Sequence, residues 1–297
     1  MPQAKLTEMK DIFSATPKSL MDDFEGGSNL IDRMVRRSQW AFLLTGKDYI
    51  FDNPSLPVAG HGVELPSGDI WTPILAPHVS SLAPVIASVG RIEAVAHPGA
   101  DPLRGTGWLV RPDLVVTNRH CVAGLRDEVA SGEVKMSIDF KGEAGSAEEL
   151  RFPVTAVEWF KPHAKAPNLD LAFIRIDRGS HPDVDLQVIE LAEGAAVGDT
   201  ILTIGYPQVP GQLYEPAFLF SVFHGVFGVK RLSPGRVVEV MPEQIFHNCT
   251  TLGGSSGAAI VDLTTGRAVA INTSENPPHN VSIPASTIRA HLEAHFP

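Results

Sequence analysis

The chain has 297 residues, 43% of them hydrophobic and 20% charged, with a formal net charge of −10. This is the balance of a globular chain with a substantial core, and its acidity excludes nucleic acid as the main partner, because phosphate binding needs clustered Lys and Arg. Two cysteines, Cys121 and Cys249, exclude a disulfide framework and predict a reducing, cytoplasmic setting.

The opening MPQAKLTEMKDIF lacks the apolar core and cleavage site of a secretory signal, and no run of about 18 apolar residues predicts a membrane span. A helix is predicted over SNLIDRMVRRSQWAFLLTG, where Ile31, Met34, Val35 and Phe42 recur at helical spacing and Gly46 stops the run. From Asp52 to Pro84 repeated prolines and glycines predict an extended connector lying along a body. After Pro84 short β-rich runs follow one another, separated by turn residues: VIASVG, RIEAVAH, GTGWLV, DLVVTN, VKMSIDF, VTAVEWF, LAFIRI, TILTIGY, FLFSVF, GRVVEV, AAIVD, AVAINT and NVSI. That texture predicts an antiparallel sandwich or barrel. The segment PASTIRAHLEAHF predicts a closing helix with Ile288 and Leu292 inward. The chain is thus expected to be all-β with short helices, residues 1–81 forming an arm and connector and residues 82–297 the main domain.

TLGGSSGAAIVD, from Thr251 to Asp262, holds two serines among glycines. As G-x-S-x-G it would make Ser255 a nucleophile on a strand-to-helix elbow, but a strand pair follows and too little chain remains for the acid and histidine. As G-x-S-G it makes Ser256 the nucleophile, with the N–H groups of Gly254 and Ser256 aimed at one small space. Such a pair holds the oxyanion formed when a hydroxyl attacks a carbonyl, each donor being worth ~10²–10³ in rate. A serine needs a base and an orienting carboxylate. His120, in the turn that ends GTGWLVRPDLVVTNRHCVAG, and Asp170, just before the strand of APNLDLAFIRID, are the candidates.

In this order these motifs resemble the trypsin/chymotrypsin-like serine peptidase superfamily over roughly residues 82 to 296. The details are nearest to the bacterial glutamyl endopeptidases and the HtrA (Deg) proteases. The resemblance implies two six-stranded antiparallel β-barrels, His120 and Asp170 on the first and Ser256 on the second, with substrate between them and no cofactor. It implies that His120 acts as general base and then acid, Asp170 orients it and Ser256 attacks. It makes Thr250, Thr251, Asn272, Thr273 and Ser274 the substrate-binding candidates, and Thr273 a hydrogen-bond partner for Asp170. It sets Gly105 opposite Cys121, so the usual disulfide cannot form, and puts Ser255 where relatives carry Asp or Asn. No Ile-Val-Gly-Gly-like start occurs near residue 80, which speaks against activation by inserting a new amino terminus.

The resemblance puts Thr250 where trypsin-type enzymes carry an Asp and Asn272 where glutamyl enzymes carry a His, which implies neither a basic nor an acidic preference; a small or apolar residue is expected before the scissile bond. His247 and Cys249 are too few for a metal site, and none is expected. The expected partner is a protein or peptide substrate, with neither nucleic acid nor membrane. For residues 1–81 two readings stand. One is a regulatory arm that covers the cleft, receives an activating partner or assembles subunits. The other is a stabilising arm. The rival to an enzyme is a non-catalytic peptide-binding adaptor on the same barrels.

Overall fold

A computed structural model describes residues 53–67, 69–95, 102–159, 169–209, 216–276 and 279–296. They belong to one compact unit, Tyr49–Pro297, so the boundary expected after residue 81 falls inside it. The helix expected over residues 28–46 lies outside the described residues.

The elements run β1 (Leu56–Ala59), β2 (Gly62–Val63), α1 (Thr72–Leu75), α2 (Ala83–Ala87), β3 (Val89–Val95), β4 (Leu103–Arg111), β5 (Leu114–Thr117), α3 (Arg126–Ser131), β6 (Lys135–Asp139), β7 (Arg151–Trp159) and β8 (Ala172–Ile176). They continue with β9 (Thr200–Gly205), α4 (Pro216–Phe223), β10 (Arg231–Val240), β11 (Ile245–His247), β12 (Ala259–Asp262), β13 (Ala268–Asn276), β14 (His279–Pro284) and α5 (Ala285–His295). Strands β3-β4-β5-β8-β7-β6 close the first antiparallel barrel. Strands β9-β10-β11-β14-β13-β12 close the second through the β10–β11 and β12–β9 pairings. The two six-stranded barrels and the closing helix expected from sequence are all present.

Alternation along the strands explains why their apolar runs are unbroken. In β5, Leu114 and Val116 point into the core shared by the barrels, while Val115 points into the interior of the first. In β12, Ala259 and Val261 join the shared core and Ile260 the interior of the second barrel. Successive side chains leave a strand on opposite faces, so a strand buried on both sides reads as continuous hydrophobicity. Ile288 and Leu292 of α5 join the shared core, as expected, and Phe296 beyond it lies 5.1 Å from the Phe173 ring.

Two segments differ from expectation. Residues 218–223, expected as a strand, lie in α4, and the start of VIASVG is helical, with β3 beginning at Val89. Short apolar runs carry no period that separates helix from strand, and Pro84 occupies the first turn of α2, where a missing N–H costs nothing. The connector is also more structured than expected: β1 pairs with β10 (Leu56↔Leu232) and β2 with β1.

Behind the barrels lies a buried polar cluster. Lys230 is fully buried, donating to the carbonyls of Ile86 (2.9 Å) and Phe140 (2.8 Å), with the Glu143 carboxylate 3.6 Å away. Glu143 also takes the His61 ring Nδ1 at 2.6 Å and the His61 main-chain N–H at 3.0 Å. Burial pulls the Lys230 pKa down to about 8 against the pull of Glu143. Removing one member of a buried pair leaves an uncompensated charge, whereas an exposed pair such as Arg267–Glu190 contributes little. Urea denaturation is expected to show Lys230→Ala losing roughly 3–5 kcal/mol and Arg267→Ala less than about 1 kcal/mol. Equal losses would refute this assignment of the junction's charges.

Candidate active site

The β5–β8 ladder sets the first half of the site. Thr117 pairs with Ala172, so the chain leaving β5 and the chain entering β8 meet at one end of the first barrel. His120 follows Thr117 in a 3₁₀ turn, Arg119–Val122, and Asp170 precedes Ala172. The His120 ring Nδ1 lies 2.6 Å from Asp170 Oδ2, and the His120 main-chain N–H donates to Oδ1 at 2.9 Å. One carboxylate thus holds both the ring and the backbone of the histidine, and Nε2 is left as the free ring nitrogen. Asn118 steadies the carboxylate's own residue by donating to the Asp170 main-chain carbonyl at 2.9 Å.

The other half is the turn between β11 and β12. Ser255 N–H donates to Leu252 O (2.9 Å) and Ala258 N–H to Ser255 O (3.0 Å), making two successive turns. Each has a glycine with positive φ at its third position, Gly254 at +89° and Gly257 at +83°, the signature of type II turns. Neither tolerates a side chain. A Cβ on Gly254 would meet the Tyr206 carbonyl, and one on Gly257 the Thr106 carbonyl. The Gly253 carbonyl accepts the Gln208 N–H at 2.7 Å. Because the peptide is planar and trans, the Gly254 N–H points the opposite way. Among the described residues neither that N–H nor the Ser256 N–H has a hydrogen-bond partner.

The halves meet through Thr106 of β4. Its N–H donates to Ser256 O (2.8 Å), its hydroxyl to Gly254 O (2.8 Å), and its carbonyl accepts Thr117 Oγ1 (2.8 Å). Cys121 Sγ, one residue after His120, lies 3.8 Å from Ser256 O. The Ser256 hydroxyl itself forms no hydrogen bond to His120 within the described residues. Ser255 is buried, and its hydroxyl accepts the Leu252 N–H at 3.4 Å, whereas Ser256 is only partly buried. A cleft lined by Arg91, Glu93, Leu103, Arg151, Gln208 and Phe227 opens at Gln208, whose N–H holds the Gly253 carbonyl.

The substrate-binding candidates divide. Thr250, Thr251 and Asn272 are buried, and their side chains are committed internally. Thr250 donates to Asn53 O (2.6 Å), Thr251 to Asn280 Oδ1 (2.8 Å) and Asn272 to Ser255 O (2.9 Å). Thr273 sits at the bulge between Asn272 and Ser274 on β13, and Ser274 is exposed. The expected Thr273–Asp170 bond is not formed. The Asn118 amide lies between them, reaching Thr273 Oγ1 at 3.3 Å. His247 and Cys249 form no metal pair: His247 Nε2 meets Asn272 Oδ1 (3.1 Å), and Nδ1 accepts the Cys249 N–H (3.3 Å). Burial drives the His247 pKa down to about 4 and the Cys249 thiol up to about 12, so both are neutral. Cys121 is free, and a Cβ on Gly105 would stand 2.6 Å from its sulfur, so the two residues do face each other. Thr106, Asn118 and Gln208 were not singled out from sequence. Thr106 left a trace, a lone hydroxyl between the two glycines of a buried strand.

The profile of the family described as "Trypsin-like peptidase domain" matches residues 105–271, more than half of the chain. The chain belongs to the trypsin-like peptidase family. A search of curated proteins returned no match. Among solved structures, the fold resembles that of Deg5, with 20% identity, 78% of this chain and 98% of that chain covered, and a TM-score of 0.50. Rv3671c from M. tuberculosis H37Rv, solved as a serine-to-alanine mutant in an inactive form, aligns at 20% identity. That alignment covers 82% of this chain and 98% of that one, with a TM-score of 0.48. No helix among the described residues is long and apolar enough to cross a membrane.

The Asp170 hydrogen bond, then the Cys121 sulfur, raise the His120 pKa above its ordinary 6.5, against burial. Burial opposes ionisation of Asp170, but the His120 ring and main-chain bonds hold its pKa below 3.8. The raised histidine stabilises the fold fully below 6.5 and loses that contribution as pH rises through its folded value. The depressed carboxylate contributes above 3.8 and loses it as pH falls. Titration of the His120 ring by NMR is expected to show a midpoint above 6.5 that falls in Asp170→Asn, where the largest raising cause is lost. An unchanged midpoint would separate the two side chains electrostatically.

Proposed function

We propose that this peptidase-fold protein is an active serine endopeptidase, with Ser256 as nucleophile, His120 as general base and acid, and Asp170 orienting it. The observation that carries this reading is the clamping of His120 on one carboxylate, with Nε2 left free, beside the turn that exposes Ser256. In the first step Ser256 Oγ attacks the substrate carbonyl as its proton passes to His120 Nε2, and the resulting imidazolium is stabilised by Asp170. The carbonyl oxygen becomes an oxyanion and accepts the unpartnered N–H groups of Gly254 and Ser256. Collapse breaks the peptide bond, and His120 gives its proton to the leaving amine. Water, deprotonated by the same nitrogen, then releases the acyl group from Ser256. No step calls on a cofactor.

The burial of Ser255, with its hydroxyl already engaged, favours Ser256 over it. The side chains of Thr250, Thr251, Asn272 and Asn280 are neutral and mutually satisfied, which favours an uncharged residue before the scissile bond. Two buried free cysteines favour a reducing, cytoplasmic setting. The N-terminal arm and connector, residues 1–81, are the candidate regulatory segment, either as a cover or as the contact for an activating partner or second subunit. One observation favours the non-catalytic alternative, the absence of a Ser256–His120 hydrogen bond. Such bonds are often long without substrate and tighten in the complex.

Intact-mass measurement after treatment with a fluorophosphonate is expected to show one adduct on the wild type and none on Ser256→Ala. With a peptide library, cleavage is expected after uncharged residues, and Asp170→Asn is expected to lower kcat by about 10⁴-fold. A folded wild type that takes no label and cuts nothing would make the chain a binding scaffold.

A further inference from the structure

Upstream of the family-matched residues, the chain from Asn53 to Ala59 is built into the second barrel at the segment that leads to Ser256. Asn53 is 5% exposed and Ser55 3%, unusual burial for a polar pair in a connector. The Asn53 amide donates to Asn248 O at 2.6 Å, and the Asn53 carbonyl accepts the Thr250 hydroxyl at 2.6 Å. One residue therefore grips the 248–250 segment from both its side chain and its backbone. Ser55 fixes that residue in turn. The buried Arg231 guanidinium donates from Nε to Ser55 Oγ (3.0 Å) and from Nη2 to the Ser55 carbonyl, and Ser233 Oγ donates to Ser55 Oγ (2.9 Å). Arg231 meets only neutral acceptors there, and burial pulls its pKa down to about 10. So costly a group is retained where backbone carbonyls need several donors at once.

Two residues beyond Thr250, Leu252 closes the turn, its carbonyl taking the Ser255 N–H and its N–H meeting the Ser255 hydroxyl. We propose that Asn53 is a positioning residue for the substrate pocket, holding Thr250 and Asn248 from outside the family domain with Arg231 and Ser55 as its support. The inference rests on the peptidase reading, in which Thr250 walls the pocket.

The test uses the full-length chain with Asn53→Ala, Asn53→Asp (which keeps the size and loses the amide donor), Thr250→Val and Thr250→Ser. Three quantities are read: the second-order rate of fluorophosphonate labelling at Ser256, kcat and KM on peptides differing before the scissile bond, and Tm. Both Asn53 variants and Thr250→Val are expected to raise KM about 10-fold and flatten side-chain discrimination, with labelling within about 3-fold of wild type; tenfold corresponds to about 1.4 kcal/mol, the worth of one buried hydrogen bond. Thr250→Ser, which keeps the hydroxyl, is expected to restore KM. Asn53 variants with wild-type KM and selectivity, or with labelling and cleavage falling together in step with Tm, would overturn the proposal. A wild type that takes no label overturns the peptidase reading and this inference with it, whereas a labelled wild type with indifferent Asn53 variants overturns this inference alone.

Discussion

The site depends on one side chain that is not a candidate for chemistry, Thr106. His120 and Asp170 belong to the first barrel and Ser256 to the second, and their alignment is only as good as the docking of one barrel on the other. Thr106 supplies that docking with a main-chain donor to Ser256 O, a side-chain donor to Gly254 O and a carbonyl acceptor for Thr117 Oγ1. Its hydroxyl also accepts the Tyr206 N–H at 3.1 Å. Fully buried hydrogen bonds of this kind act less through their net free energy than through the penalty for leaving any of them unmade. A shift of the second barrel by one ångström would orphan several at once. Gly257 is the counterpart of this constraint, since any side chain there would occupy the space of the Thr106 carbonyl.

The polar interior of the molecule separates into two regions of different character. At the barrel junction charge is concentrated: Lys230 pairs with Glu143, Arg91 pairs with Glu93 and Asp139, and the Tyr206 hydroxyl donates to Lys141 O at 2.8 Å. Around the turn that carries Ser256, the buried polar groups Thr250, Thr251, Asn272, Asn280, His247 and Cys249 are all neutral. The separation has a chemical consequence. Fixed charges near the turn would compete with the oxyanion for its donors and bias the pocket toward a charged substrate. The junction charges instead tie the barrels together, Arg91 donating to Gly228 O and Lys230 to Phe140 O.

What could be read from the sequence follows from where the signals are local. His120, Asp170 and Ser256 each stand in a short run whose neighbours specify a strand end or a glycine turn, so residue type and context together were enough. The unbroken apolar strands were legible for the same reason, and the alternation that divides Val115 from Val116 between two cores needs only the strand period. The failures are of two kinds. Residues 218–223 form a run too short for its period to separate helix from strand. Asn53, Thr106, Asn118 and Thr273 act through partners distant in sequence, and no local pattern marks an asparagine whose amide meets a carbonyl 195 positions away. The connector, dense in proline, read as extended chain; what its composition hid is that it carries α1 and that its first strand is the partner of β10.

The same connector bears on how the turn is kept in its working shape. The resemblance drawn from sequence places an Asp or Asn at the position of Ser255 and speaks against a new amino terminus in this chain. A carboxylate there would need a cation to satisfy it. Ser255 does not: its hydroxyl takes the Leu252 N–H, its N–H closes the first turn and its carbonyl receives both the Asn272 amide and the Ala258 N–H. Every polar group of the residue is therefore satisfied inside the second barrel, next to Gly254 with its φ of +89°. One step back, Asn248 to Thr250 is where Asn53 takes hold. The segment ahead of the family domain thus completes an internal set of hydrogen bonds that reaches the turn through Thr250 and Leu252.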